Sequence, residues 1–96
     1  MLSKSDIIVQ LKGAKSRLES KYPIKAMALF GSYARGEQSQ SSDVDILVEF
    51  DGSIGIQFID LAEEIEKLLG TNVDLVSRYG IKDKYFKLIS EDLIYI

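Results

Sequence analysis

The sequence predicts an α/β fold of the α+β kind: a small mixed β-sheet with helices packed on one face. Three observations carry that prediction. Apolar runs of six or seven residues occur at 24–30, 44–50 and 72–77. Two longer segments, one before the first run and one between the second and third, place apolar residues at helical spacing. Short polar or glycine-containing stretches separate these units, giving the order α-β-(α)-β-α-β-α, which suits a sheet covered by helices.

Taken in order, Ile7, Ile8, Leu11, Ala14, Leu18 and Tyr22 define a first helix over about 4 to 21. Ser3 or Ser5 can cap its start and Pro23 marks its end. Gly13 inside it costs about 1 kcal/mol relative to alanine, so packing is expected to support that segment. IKAMALF, residues 24–30, reads as a strand ending at Gly31. YARGE adds one helical turn, and EQSQSS, residues 37–42, is a polar loop. Residues 44–50 form a second strand and 51–55 a turn. Phe58, Ile59, Ala62, Ile65 and Leu69 mark a helix that Gly70 is placed to terminate. NVDLVS, residues 72–77, is a third strand, and residues 82–91 form a last helix through Tyr85, Phe86 and Ile89. The tail DLIYI is apolar to Ile96, and the docking of Ile94 and Ile96, on the domain or on another chain, is open.

Side chains alternate across a strand. On the second strand Val44, Ile46 and Val48 therefore share a face suited to helix packing, while Asp43, Asp45 and Leu47 share the other. Asp74 on the third strand points away from Val73 and Leu75 in the same manner, so it meets the pair if the two strands are neighbours. Three carboxylates together must take up protons or bind a cation. Magnesium suits them, since one or two carboxylates commonly hold it together with substrate phosphates. Two such ions about 3.5–4 Å apart hold both the attacking and the leaving oxygen of a phosphoryl displacement. Gly31 and Ser32 supply the matching half. The glycine lets phosphate approach the main chain, the amides of Ser32 and Tyr33 can point at an anion, and the Ser32 hydroxyl can donate one more bond. Arg35, and more distantly Arg78 or Lys82, can balance the remaining phosphate charge.

Composition narrows the chemistry. Ninety-six residues suit one domain, 1–96, and a 46% apolar, 28% charged balance is globular. There is no cysteine and no histidine, which removes thiolate and imidazole ligands and the usual general base, and leaves oxygen-ligated metals. A net charge of −3 argues against stand-alone nucleic-acid binding. No apolar run approaches the roughly 20 residues that cross a bilayer, and no secretory signal is visible, so a cytoplasmic protein is expected.

Gly31-Ser32, ten residues, then Asp43-Val44-Asp45 resembles the GSx10DxD signature of the DNA polymerase β-like nucleotidyltransferase superfamily. YARGE, the SDVDILVEF strand and NVDLVS are similar to its minimal nucleotidyltransferase branch, and the resemblance spans about Ile24 to the C-terminus. It implies the polymerase β-like nucleotidyltransferase fold and magnesium-dependent transfer of a nucleoside monophosphate to a hydroxyl. Asp43 and Asp45 match the metal-binding pair. Asp74 matches the third carboxylate, which shares a metal and activates the acceptor, and Gly31 and Ser32 match the triphosphate turn. In the antitoxin branch ATP is the donor, a tyrosine of a HEPN-domain toxin is the acceptor, and adenylylation silences that partner's ribonuclease. A hetero-oligomer with such a toxin is implied. Larger relatives carry a second domain; this length leaves no room for one, so either a partner completes the site or the intrinsic activity is weak.

Plainer readings stand beside these. A lone Asp-x-Asp at a strand start is often a solvated turn, Ser32 can simply cap a helical turn, and Arg35 can pair with Glu37 on the surface. Tyr79, Tyr85, Phe86 and Tyr95 read as core or partner interface before base stacking. The alternatives to an adenylylating enzyme are a non-catalytic module that neutralises a HEPN partner by covering it, or a transferase with a small-molecule or RNA acceptor.

Overall fold

The structure, a computed structural model, describes residues 2–96. Helix α1 spans Lys4–Lys21. Ser3 is its cap: the Ser3 hydroxyl accepts from the Asp6 amide, and the Asp6 carboxylate accepts from the Ser3 amide. One stripe, Ile7, Leu11, Ala14 and Leu18, is buried. The helix stops where Tyr22, extended ahead of Pro23, returns its N–H to the Leu18 carbonyl.

The chain then forms β1 (Ile24–Phe30), α2 (Gly31–Arg35), β2 (Val44–Phe50), α3 (Gln57–Leu69) and β3 (Val73–Ser77). A 3₁₀ turn at Arg78–Gly80 leads into α4 (Asp83–Ile89), a second 3₁₀ turn (Ser90–Asp92) and β4 (Ile94–Tyr95). The sheet order is β3-β2-β1-β4. β1 runs antiparallel to both β2 and β4, while β2 and β3 are parallel. The sheet is therefore mixed, as the order of elements requires: the helix between the second and third strands carries the chain back to start β3 alongside β2.

Register separates the two faces of the sheet. Met27 lies opposite Val48, Leu29 opposite Ile46, and Ile46 beside Leu75. These side chains share the main core with Ile7, Leu11 and Leu18 of α1 and with Leu61, Ile65 and Leu69 of α3. The aliphatic face of β2 thus meets the two long helices, as its alternation predicted. The two helices are clasped at one end by Glu64, which accepts from the Tyr22 hydroxyl and the Lys21 ammonium, each at 2.9 Å.

The opposite face carries Phe30 opposite Asp45, Ala28 opposite Leu47, and Leu47 beside Val76. Part of it is covered by a smaller cluster in which Ile89 joins Phe30 and Leu47, flanked by Val76, Ile81, Phe86 and Leu93. This cover comes from α4, which packs on the face opposite α1 and α3, whereas the sequence reading expected the helices on one face. Phe86 and Ile89, three residues apart, form a stripe one residue wide. The cover reaches Phe30 at the end of β1 and leaves Asp43 and Asp74 exposed.

Four boundaries differ from the sequence reading. The short helix α2 occupies Gly31–Arg35 and not YARGE, residues 33–37. β3 begins at Val73, although Asn72 still accepts from the Val44 amide. The last helix is shorter than 82–91, because Ser90 turns its hydroxyl back to the Lys87 carbonyl at 2.8 Å and the chain tightens into a 3₁₀ turn. The apolar tail becomes β4. Ile94 pairs with Leu29 and Tyr95 with Ala28, and the Ile96 amide donates to the Met27 carbonyl at 2.9 Å. Ile94 and Ile96 pack against the main core, so the tail docks on its own sheet. Among the described residues no helix is long and apolar enough to cross a membrane.

Candidate active site

The strand ends bring the marked residues together. β1 delivers Phe30 opposite Asp45, and the chain must then turn sharply at Gly31, whose φ is +75°. That left-handed angle already favours glycine. Space demands it as well. A Cβ at Gly31 would collide with the Asp45 carboxyl oxygen Oδ2 and stand 3.0 Å from Asp45 Cγ. The Asp45 carboxyl is therefore pressed against the main chain at the start of α2. Phe30 offers no capping side chain there, so the first amides of α2 have no side-chain partner. Ser32 is half-buried beside them, while Tyr33 and Ala34 anchor the turn in the core.

Asp74 is the direct neighbour of Asp45 across the parallel β2–β3 pair, on the same face. Asp43, one residue before β2, lies on the Asp45 side of the alternation. Asp43 and Asp74 are exposed and Asp45 is half-buried. Partial burial pushes the Asp45 carboxyl up from an ordinary value of 3.8 to about 6, the charges of Asp74 and then Asp43 add to the push, and Arg35 opposes it. The three carboxylates thus sense one another, and the sequence-predicted meeting of Asp74 with the pair is realised.

Among the described residues no three acidic side chains close into a ready-made metal cage. The donor set nonetheless fits magnesium. All donors are oxygens, they face open solution, and Asp45 carries charge that its surroundings leave undercompensated. A magnesium ion usually takes only one or two protein carboxylates and completes its shell with water and substrate phosphate. Among the described residues, concavities lie along α4 at Lys84, Lys87 and Leu88, and beneath α2 between Tyr33 and Leu69. The aspartates occupy an open strand-end shelf, a shape suited to a large ligand and a macromolecular acceptor.

The basic residues divide. Arg35 ends α2, donating from Nε to Glu37 Oε1 at 3.0 Å and from Nη1 to Asp92 Oδ2 at 2.8 Å. The surface pairing with Glu37 is present, and its charge also reaches Asp45. Arg78 and Lys82 follow the far end of β3. Ser77 lies three residues beyond Asp74, about 10 Å along the strand. Arg78 lies 3.6 Å above the Phe86 ring and 3.7 Å from Asp83, which commits it to holding α4. Lys82 is exposed at the start of α4 and makes no capping bond. Phe86 packs, whereas Tyr79, Tyr85 and Tyr95 are exposed, so these three tyrosines are not core. Asp92 was not foreseen. It stands 57 residues from Arg35 in a tail whose only visible pattern is apolar, and no local spacing could have linked the two.

Residues 11–96 match the family described as nucleotidyltransferase domain. A Methanocaldococcus jannaschii protein named as a candidate protein adenylyltransferase is 46% identical over 100 residues, covering all of both chains. Among solved structures, a candidate minimal nucleotidyltransferase superposes with a TM-score of 0.84 at 28% identity, covering 97% of this chain and 95% of that one. A chain from a toxin–antitoxin complex with AMP-PNP superposes with a TM-score of 0.71 at 26% identity, covering 98% of this chain and 72% of that one.

Proposed function

The chain belongs to the nucleotidyltransferase domain family, and from that premise we propose that it transfers AMP from ATP to a tyrosine hydroxyl of a HEPN-type toxin, as the antitoxin of a cytoplasmic toxin–antitoxin pair. The observation that carries this reading is the pairing of Asp45 with Asp74 hard against the Gly31 turn. The relative named as a protein adenylyltransferase supports AMP transfer to a protein. The toxin–antitoxin chain, crystallised with an ATP analogue, supports both the donor and the partner class.

Asp43, Asp45 and Asp74 would hold magnesium, two ions in the full site. When bound, the metal neutralises the triphosphate and acidifies the acceptor hydroxyl. The rest of the work falls to the chain itself. Gly31, without a side chain, admits phosphate to the backbone, and Ser32 donates from its amide and its hydroxyl. Arg35 opposes the remaining phosphate charge. Asp74, the exposed outer carboxylate on the edge strand, takes the proton from the incoming hydroxyl, a task that a chain without histidine must give to a carboxylate. The acceptor oxygen bonds to the α-phosphorus as the bond to the β-phosphate oxygen breaks, and pyrophosphate leaves. Because α1 and α3 cover the other face, the acceptor approaches from the open one.

The test mixes the chain, a co-expressed HEPN partner, magnesium and ATP labelled at the α-phosphate. Label is expected on the partner, with loss of at least about a hundredfold in Asp43→Asn and the fold retained. A tight but unlabelled complex would instead identify a neutralising module, and near wild-type labelling by Asp43→Asn would refute the role given to that carboxylate.

A further inference from the structure

We propose that Asp92 is a positioning residue for this transfer: it fixes the Arg35 guanidinium beside the nucleotide phosphates. The inference rests on the nucleotide-binding reading above and adds to it a residue that no motif marks.

The geometry is asymmetric in a telling way. Arg35 is held by two carboxylates, Glu37 at 3.0 Å and Asp92 at 2.8 Å. The Glu37 side chain is 64% exposed, two residues along an open loop, and the Asp92 side chain is 25% exposed. Asp92 is also the better anchored. It is the last residue of the second 3₁₀ turn, Leu93 packs into the smaller cluster beneath α4, and β4 pairs with β1 immediately afterwards. That same β1 ends at Phe30 and runs straight into Gly31. The strand that presents the phosphate turn and the tail that presents Asp92 are therefore bonded to one another. Arg35, at the end of α2, is tied back to that frame by its Nη1. Its other terminal nitrogen, Nη2, makes no hydrogen bond among the described residues and is available to a phosphate oxygen. Arg35 also lies close enough for its charge to act on Asp45.

Stability does not explain the arrangement, since ion pairs on half-exposed arginines contribute little to folding. Two opposing effects on nucleotide binding remain. As a bare negative charge, Asp92 repels triphosphate, and its removal would tighten binding. As a tether, it keeps a flexible side chain ordered before the ligand arrives, and its removal would weaken binding. The bidentate-capable fork of arginine needs a fixed plane to meet a phosphate, which favours the tether.

The sign of the effect decides. Affinity for magnesium–AMP-PNP is measured by calorimetry on the purified chain, and KM and kcat for ATP are measured with its partner. Asp92→Ala is expected to weaken binding and raise KM about five- to tenfold, with kcat and melting temperature little changed. Asp92→Asn keeps an acceptor oxygen and is expected to restore most of the affinity. In an Arg35→Ala background, Asp92→Ala is expected to have no further effect. Tighter binding in both Asp92 variants would overturn the proposal, as would an equal loss with or without Arg35. Absence of nucleotide binding by the unaltered chain would sink the parent reading itself, an outcome distinct from wild-type binding that Asp92→Ala leaves untouched.

Discussion

Asp45 is the side chain on which stability and function pull apart. The Gly31 backbone crowds it, β2 and β3 half-bury it, and the charges of Asp74 and Asp43 face it. Its carboxyl is raised from 3.8 to about 6, so the native state holds the proton more tightly than the unfolded chain does. The penalty is absent below about pH 4, where both states are protonated. It grows between pH 4 and 6 and is complete above 6. Asp45→Asn, with no divalent ion present, is therefore expected to be more stable than the wild type at pH 7.5. About 1 kcal/mol is the expected gain once the shift is discounted for a half-exposed site. Urea unfolding in EDTA at pH 7.5 and pH 4 checks this: the advantage should be present at the first and gone at the second. An equal advantage at both would mean that the change acts through packing at Gly31 and not through charge.

At the scale of elements, glycines separate what the site needs from what the helix merely tolerates. Gly31 is fixed by a positive φ and by Asp45. Gly13, inside α1, is exposed, and a Cβ there meets nothing within 4 Å. No neighbouring packing asks for a glycine at that position. Gly13→Ala is expected to raise stability by about 0.5–1 kcal/mol through helix propensity alone, seen as a higher urea midpoint at unchanged slope. A loss would point to a contact on that face that only a partner supplies. The same contrast explains how much the sequence revealed. α1, α3, β1 and β2 announce themselves because each is long enough to show its pattern and is followed by a stop: Pro23 after α1, Gly31 after β1, the turn at 51–55 after β2 and Gly70 after α3. The three aspartates were legible because strand alternation is local and parallel pairing then aligns Asp45 with Asp74. β4 was not legible. Two residues show no period, and Tyr95 finds its place only by pairing with Ala28, 67 positions earlier. The face taken by α4 and the tie from Asp92 to Arg35 are tertiary in the same sense.

For the whole molecule, the sheet is a wall with one finished side. α1 and α3 bury one face, and α4 covers part of the other, leaving Asp43 and Asp74 exposed where β2 and β3 begin. Repulsive carboxylates at that end make the free protein less stable than it could be and make it responsive to what binds there. A ligand that binds only the native state stabilises it by mass action, about 2.7 kcal/mol at a hundredfold excess over Kd. For a domain of this size that corresponds to roughly 10 °C or more in melting temperature. On the proposed reading, magnesium–ATP should therefore raise the wild-type melting temperature steeply, while Asp45→Asn, lacking the charge proposed to hold the ion, should hardly respond. The two melting curves are then expected to exchange order: the variant melts higher in EDTA, and the wild type melts higher with magnesium and ATP. Magnesium alone should shift the wild type less than magnesium with ATP, because the triphosphate completes the ion's shell. Differential scanning fluorimetry of both proteins in EDTA, magnesium, ATP and magnesium–ATP reads all of these terms. Parallel shifts in the two proteins would place the nucleotide somewhere other than the aspartate shelf, and the transferase reading would lose its physical basis.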